Sequence, residues 1–248
     1  MSKKRPINIG HRGHELGPEN TVESFLQAID CGAEMLELDV WLSGDGVPVV
    51  FHDEFLQSAD GRRRISQYTA AALEDLVLAD GVKIPTLERV LTEVLPIVPL
   101  NIELKFFDLN YRPLVRAVVK MIGDCRAEDK VLVSSFFHQS LEIVNRAEPK
   151  IATAPIFGVP TGAPHPHDLE KLVALGGWCN EIGLHRPAAV VDYLMLDDET
   201  VTAFHRSGLA LVAYTVDDPG DMLRIAKLGV RGIITKRPAV LRQVLDAM

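Results

Sequence analysis

The chain has 248 residues and a net charge of −8, with 47% hydrophobic and 24% charged side chains, which is the balance of an ordinary soluble globular protein. The acidic charge argues against a nucleic-acid partner, and three widely separated cysteines suggest neither a disulfide framework nor a zinc site. No apolar run resembles a signal segment or reaches the roughly 18 residues of a membrane span, so we expect a cytoplasmic protein without stable membrane association.

The first strand is predicted at Ile7 to His11, where a short apolar run enters a tight glycine-containing loop. A helix is predicted from Thr21 to Cys31, because its apolar residues recur at helical spacing. Asn20 is the expected N-cap of this helix, with Glu23 three residues later as its capping-box partner.

The stretch from Glu37 to Asp53 predicts a second strand that returns through a hairpin. Glu37 and Asp39 alternate with apolar residues, so in a strand both carboxylates share one face. Asp45-Gly46 is a strong signal for a two-residue turn. With these residues at the turn, Asp39 is expected opposite His52, although a slip of one residue would turn the histidine to the other face.

A long connection from Glu54 to Pro85 follows the hairpin. It holds a polar, turn-rich segment and a short helical piece at Ala71 to Leu78. Long loops in compact domains are usually functional or disordered, so we expect an insertion over the active face. The next helix is predicted from Thr86 to Leu95, before Pro96.

Beyond the insertion, predicted strands and helices alternate regularly. The strands are predicted at Leu100–Lys105, Lys130–Ser135, Ile151–Phe157, Glu181–Leu184, Leu209–Val216 and Gly232–Thr235. The helices that follow them are predicted at Arg112–Gly123, Gln139–Ala147, His167–Leu175, Asp198–Ser207, Asp221–Leu228 and Ala239–Ala247. Eight strand–helix units in about 250 residues are typical of a (β/α)8 TIM barrel. The fold class is therefore α/β, as a single domain over residues 1–248 with an inserted segment after the second strand.

Three carboxylates are expected at the C-terminal ends of the barrel strands, where TIM barrels carry their active sites. Glu37 and Asp39 lie on the second strand, and Glu103 lies on the same face of the third strand as Lys105. Crowded carboxylates raise each other's pKa, and a hard divalent cation that prefers oxygen ligands, Ca²⁺ or Mg²⁺, would relieve this repulsion. The alternative is that the carboxylates pair with cations such as Lys105 or Arg12.

Two histidines are expected beside these carboxylates. His11 and His52 would flank the cation, and two such imidazoles suit general acid and general base catalysis near neutral pH. Arg12 and Lys105 would supply positive charge for a phosphate group. The other six histidines are expected to be hydrogen-bonded structural residues.

Several motifs, in their order and spacing, resemble the glycerophosphodiester phosphodiesterase family over most of the chain. The motifs are His11-Arg12-Gly13, Pro18-Glu19-Asn20-Thr21, Ser24-Phe25, Glu37-Leu38-Asp39-Val40, Asp45-Gly46, Val49-Val50, His52-Asp53, Ile84-Pro85-Thr86-Leu87, Ile102-Glu103-Leu104-Lys105, Ser134-Ser135-Phe136 and Gly232-Ile233-Ile234-Thr235. Each motif alone is weak, and the combination is highly specific.

The resemblance implies hydrolysis of a glycerophosphodiester, such as glycerophosphocholine, to glycerol 3-phosphate and an alcohol. It also implies that the glycerol 2-hydroxyl attacks phosphorus and that water then opens the cyclic phosphate. By matching position, the resemblance implies that His11 and His52 are the acid–base pair. It also implies that Glu37, Asp39 and Glu103 are the ligands of one Ca²⁺ or Mg²⁺ ion. Arg12 and Lys105 would then contact the phosphate.

Two positions depart from the family pattern. The family often has tryptophan at the position of Tyr214 and aspartate at the position of Lys236. Both lie near the substrate end of the predicted barrel, and Tyr214 is expected to bind substrate. The departures leave the metal and acid–base residues intact but leave open the preference for the alcohol or for the glycerol.

Two other functions remain open from the sequence. One is a lysophospholipase D or a phospholipase D-type lyase on the same scaffold, and the inserted segment argues mildly against the lyase. The other is a non-catalytic barrel that binds a metal or a phosphorylated ligand, although the presence of both histidines and all three carboxylates argues against it. The sequence also leaves open the choice between Ca²⁺ and Mg²⁺ and the oligomeric state.

Overall fold

A computed structural model describes most of the chain. The described residues are 5–58, 61–76, 81, 83–106, 110–158, 188–206 and 208–248. None of the helices in these ranges is long and apolar enough to cross a membrane.

Eight parallel strands close into a barrel, because the first strand pairs with both the second and the last. The barrel strands, in chain order, are β1 (Ile7–His11), β2 (Met35–Leu42), β6 (Leu100–Leu104), β7 (Val131–Ser135), β8 (Ala152–Phe157), β9 (Ala188–Asp192), β10 (Ala210–Tyr214) and β11 (Gly232–Thr235). Antiparallel strands β3 (Pro48–Val50), β4 (Phe55–Ser58) and β5 (Gly61–Arg64) lie between β2 and β6. The predicted TIM barrel is confirmed.

Helices connect the strands around the outside of the barrel. The described helices are α1 (Val22–Asp30), α2 (Ala70–Asp75), α3 (Leu87–Glu93), α4 (Arg112–Asp124), α5 (His138–Ala147), α6 (Asp198–Arg206), α7 (Pro219–Leu228) and α8 (Pro238–Asp246). Apolar side chains of β2 at Leu36, Leu38 and Val40 are fully buried against these helices. Since β2 alternates, its carboxylates point to the opposite side, into the barrel.

One barrel strand differs from its predicted position. The sixth strand is β9, whereas the sequence pattern placed it at Glu181–Leu184. The predicted helix His167–Leu175 and the predicted strand both lie outside the described residues. The apolar run of β9 is almost completely buried, as expected of a parallel strand covered on both faces.

The insertion after β2 is anchored to the barrel by an apolar cluster. The polar segment predicted as turns forms the hairpin of β4 and β5, and helix α2 follows. Leu56, Ile65 and Leu73 of the insertion are buried with Trp41 of β2 in this cluster. The C-terminal end of the insertion is held by a hydrogen bond that the Val50 amide donates to the Pro85 carbonyl.

The register of β2 with β3 differs by one residue from the predicted one. Val40 pairs with Val50, and the Phe51 amide donates to the Asp39 carbonyl at 3.0 Å. Phe51 rather than His52 is therefore opposite Asp39. The predicted two-residue turn is wrong because the loop is longer, with Gly46 at φ 82°, and a glycine in this left-handed region is typical of three-residue hairpin loops.

Candidate active site

Three carboxylates meet at the C-terminal mouth of the barrel, as the strand alternation predicts. Glu37 and Asp39 project inward from β2, and Asp39 pairs in register with Glu103 of β6. Glu37 and Asp39 are 3% and 0% exposed. Oxygens of the three side chains lie within 4.8 Å of one another, so this group could hold a metal ion.

Two cations contact the carboxylates. The Lys105 ammonium lies 2.6 Å from Glu103 Oε1 and 3.0 Å from Asp39 Oδ1. Arg12 Nε lies 2.9 Å from Asp39 Oδ2. The expected pairing of carboxylates with these cations is thus present, and the cations lie against Asp39 and Glu103 rather than against Glu37.

Among the described residues, the mouth holds three carboxylates but only the two contacting cations Arg12 and Lys105, and this excess of acidic groups affects the pKa of Glu37 most. Burial, together with repulsion from Asp39 and Glu103, raises the pKa of Glu37 well above its ordinary value. Burial raises the pKa of Glu103 in spite of the opposing effect of Lys105. Asp39 is different, because Lys105 and Arg12 lower its pKa against the effect of burial.

His11 ends β1 and lies deep in the mouth. Its Nε2 is 3.7 Å from Glu37 Oε2. Burial, followed by the nearby charge of Arg12, lowers the pKa of His11 to about 3. The imidazole is therefore neutral near pH 7.

His52 lies on the rim, just after β3, and 39% of its side chain is exposed. Its Nδ1 lies 2.7 Å from an Asp53 carboxylate oxygen, and its carbonyl accepts a hydrogen bond from the Trp41 indole at 3.0 Å. The charge of His52 contributes to the lowered pKa of Asp39. The histidine is therefore near Asp39, although the observed register places Phe51 rather than His52 opposite that residue.

Asn20 has a role that the sequence pattern did not predict. The N-cap of α1 is Thr21, whose hydroxyl accepts the Ser24 amide, so the prediction of Asn20 as the cap is wrong. Asn20 adopts φ 61° and its side-chain amide donates to Asp39 Oδ2 at 2.9 Å. Asn20 thus holds a carboxylate of the mouth, and the only sequence signal was its place in the Pro18–Thr21 motif.

Comparison with known proteins identifies the family. The glycerophosphoryl diester phosphodiesterase family model matches residues 11–240. The chain belongs to this family. A glycerophosphodiester phosphodiesterase of Caldanaerobacter subterraneus subsp. tengcongensis is 30% identical over 96% of both chains, and one of Bacillus altitudinis is 33% identical over 93% of this chain and 94% of its own.

Solved structures support the same family. A phosphodiesterase of Oleispira antarctica, in complex with the product sn-glycerol-3-phosphate, has a TM-score of 0.82 and 26% identity, covering 98% of this chain and 97% of that chain. A glycerophosphodiester phosphodiesterase of Thermotoga maritima has a TM-score of 0.77 and 27% identity, covering 97% of this chain and 99% of that chain. The prediction of a glycerophosphodiester phosphodiesterase, which is a phosphoric diester hydrolase, is confirmed.

Both departures from the family pattern lie at the mouth. Tyr214 lines a cavity of about 20 Å³ together with His11, Glu37 and Glu103. Its hydroxyl donates to the Phe157 carbonyl at 3.1 Å, and burial raises its pKa. Lys236 follows β11 and its ammonium lies 2.6 Å from Glu19. Seven of the eight predicted site residues therefore lie together in the mouth, with four of them around the three carboxylates. The eighth, His52, lies at the edge.

Proposed function

We propose that this phosphodiesterase hydrolyses glycerophosphodiesters to sn-glycerol 3-phosphate and an alcohol with one bound divalent cation and two acid–base histidines. The observation that carries the proposal is the approach of three buried carboxylates to within 4.8 Å of one another beside His11 and His52. The Oleispira antarctica relative, solved with sn-glycerol-3-phosphate as its product, supports the same product for this chain.

The residues fit a divalent cation. Three carboxylates face the two cations Arg12 and Lys105, and the buried Glu37 Oε2 accepts no hydrogen bond from the described residues. Glu37, Asp39 and Glu103 would hold the ion, and an all-oxygen ligand set favours Ca²⁺ or Mg²⁺. When bound, the cation supplies positive charge that stabilises the developing charge on the phosphate oxygens.

Arg12 and Lys105 bind the phosphate in this proposal. Their charged groups lie against Asp39 from two directions, at 2.9 Å and 3.0 Å, and both side chains are less than a fifth exposed. Electrostatic attraction to a phosphate is stronger in such a partly buried setting than in water. Tyr214 would contact the substrate from the wall of the small cavity that it shares with His11 and Glu37.

The reaction runs in two proton-balanced steps. In the first, one histidine takes the proton of the glycerol 2-hydroxyl, the oxygen–phosphorus bond forms, and the bond to the alcohol breaks as the other histidine gives that alcohol a proton. In the second, the histidines act in reverse, so that water loses a proton and its oxygen attacks phosphorus. The bond to the 2-oxygen then breaks, this oxygen receives a proton, and glycerol 3-phosphate results.

The positions of the two histidines support distinct roles. His11 is deep in the mouth, with 13% of its side chain exposed, whereas His52 is 39% exposed on the rim. The departing alcohol must leave toward solvent, so His52 is the acid that protonates it. His11 is then the base that faces the glycerol 2-hydroxyl.

Release of glycerol 3-phosphate from glycerophosphocholine tests the proposal. Treatment with a chelator should abolish the release, and added Ca²⁺ or Mg²⁺ should restore it and identify the working ion. Activity that is indifferent to the chelator would contradict the metal site. A cyclic phosphate that accumulates and never opens would instead identify a lyase.

The remaining partners follow from the chemistry of the site. We propose a small-molecule glycerophosphodiester as substrate and no nucleic-acid partner, because the net charge of −8 repels polyanions. Action in the cytoplasm stays a prediction of the sequence.

A further inference from the structure

A chain of charged side chains leads from the carboxylates at the mouth to the loop after β11. Arg12 Nε lies 2.9 Å from Asp39 Oδ2, and Arg12 Nη1 donates to Glu19 Oε2 at 3.0 Å. The other oxygen of Glu19 accepts from the Lys236 ammonium at 2.6 Å. Glu19 therefore connects the guanidinium proposed to bind phosphate with a lysine that touches no carboxylate of the mouth.

The backbone around this chain of contacts is strained. Arg12 and Asn20 adopt φ values of 53° and 61°, which are unusual for residues other than glycine. The Asn20 amide donates to the Arg12 carbonyl at 2.9 Å, so the two residues close the loop that carries Glu19. Strain of this kind persists only where the surroundings enforce it, and it is concentrated at functional sites.

The guanidinium of Arg12 is held on two of its edges. Of its five N–H donors, the one on Nε faces Asp39, and Nη1 donates to Glu19. No described residue accepts a hydrogen bond from Nη2, so this nitrogen can offer both of its hydrogens to a phosphate. A guanidinium fixed by two carboxylates points its remaining edge in one direction.

The outer pair of this chain of contacts contributes little to stability. Glu19 and Lys236 have side chains that are 41% and 39% exposed, and exposed ion pairs have small net effects on folding. The pair matters for Arg12 instead, because Lys236 holds Glu19 where its carboxylate accepts a hydrogen bond from Arg12 Nη1. The ion pair therefore acts on the position of Arg12 rather than on the stability of the fold.

We propose that Glu19 and Lys236 are positioning residues that orient the Arg12 guanidinium toward the substrate phosphate. This inference rests on the proposed function, since it takes Arg12 as a phosphate contact. Neither residue touches the reacting atoms in this proposal, and both act through Arg12.

The same loop provides a matched control. Glu15 pairs with Arg237 at 3.2 Å, and its side chain is 38% exposed. Like Glu19, it joins the loop after β1 to the residues after β11, but it does not contact Arg12. The variants Glu15→Gln and Glu19→Gln therefore each remove one exposed ion pair between these two segments, and only Glu19→Gln also removes a contact with the guanidinium.

Steady-state kinetics with glycerophosphocholine test the proposal. Glu19→Gln and Lys236→Ala should lower kcat/KM about 10-fold, mostly through a higher KM, as expected when support for a binding group is lost. Lys236→Arg should restore the activity, and Glu15→Gln should stay within about twofold of the wild type. A purely structural role would instead lower the unfolding temperature and leave KM unchanged, and this result would overturn the proposal.

A double-mutant cycle identifies the route of the effect. If Glu19 acts through Arg12, Glu19→Gln should change kcat/KM by less than about twofold when Arg12→Lys is already present. Equal losses in both backgrounds, or equal losses from Glu15→Gln and Glu19→Gln, would overturn the inference. If the wild type cleaved no diester, the proposed function would fail, and the affinity of the same variants for inorganic phosphate would then decide whether Glu19 orients Arg12.

Discussion

The two histidines of this phosphodiesterase are supported by different kinds of structure. His11 ends a barrel strand that pairs on both sides, and 13% of its side chain is exposed. His52 follows a three-residue strand at the rim, with 39% of its side chain exposed, and its backbone is held by one hydrogen bond from Trp41. One half of the proposed acid–base pair is therefore fixed by the barrel, whereas the other depends on a local contact.

This difference explains how the site combines fixed geometry with access for substrate. A strand inside a closed barrel sets the direction of its side chains by the pleat alone. A rim residue can face the alcohol that enters and leaves. Replacements of the two histidines and of their supporting contacts should therefore have different effects on activity.

Replacement of the buried histidine should have the largest effect. His11→Ala should lower kcat about 10³-fold, because acid–base groups contribute about 10²–10⁴-fold. Added imidazole should not restore activity, since only 13% of the His11 side chain is exposed and a free ring would have little access from solvent to the vacated space. Rescue by imidazole, measured as glycerol 3-phosphate release, would contradict the buried position.

Replacement of the rim histidine should have a smaller and reversible effect. His52→Ala should lower kcat about 10²-fold, and imidazole should restore part of the activity because solvent reaches this position. The rate with a diester whose alcohol leaves easily, such as a nitrophenol, should change much less. An equal loss with both leaving groups would argue against His52 as the acid.

Removal of one mouth carboxylate should stabilise the metal-free protein. The folded-state pKa of Glu37 is raised above its ordinary 4.5. Protonation of Glu37 therefore stabilises the folded protein below pH 4.5, and this stabilisation is lost as the pH rises through the raised pKa. Metal-free Glu37→Gln should therefore exceed the wild type in unfolding free energy at pH 7. The difference should disappear below about pH 4.

Urea unfolding at several pH values, with chelator present, measures this difference. The same experiment with Mg²⁺ or Ca²⁺ at about 100 times its Kd should stabilise the wild type by about 2.7 kcal/mol and Glu37→Gln much less. A variant that stays less stable than the metal-free wild type at every pH would show that repulsion among the carboxylates is not the dominant effect.

Loss of the indole contact should have the smallest effect. Trp41→Phe removes the hydrogen bond to the His52 carbonyl, which contributes about 1 kcal/mol, and should lower kcat about fivefold, in proportion to that energy. In the His52→Ala background the same change should have almost no effect on kcat. Equal effects in both backgrounds would mean that Trp41 acts by packing within the insertion rather than by holding His52.

The site residues on strands were predicted correctly from the sequence, whereas His52, which lies in a loop, was misplaced. Alternation alone brought Glu37, Asp39 and Glu103 to one mouth, because the pleat of a strand leaves a side chain one of two directions. His52 lies beyond the end of β3, where no periodicity applies. The hairpin register failed because a turn of three residues and a turn of two residues share the same Asp-Gly signal.

Other differences have similar local causes. Thr21 and Asn20 are both good N-caps, and the choice between them was decided by the bond from Asn20 to Asp39, which connects segments distant in sequence. The strand β9 was missed because its short apolar run has no periodicity of its own. Pairings between distant residues, such as Lys236 with Glu19, leave no pattern in a single sequence.

The direction of α8 has a practical consequence for handling the enzyme. This helix returns antiparallel to the strands, and Arg242 at its midpoint reaches Gly32 between α1 and β2, on the face away from the mouth. The chain also enters β1 from that face. A tag or surface linker attached beside either Ile7 or Asp246 would therefore hold the molecule with its substrate entrance outward, so that immobilised and free enzyme should turn over substrate at the same rate.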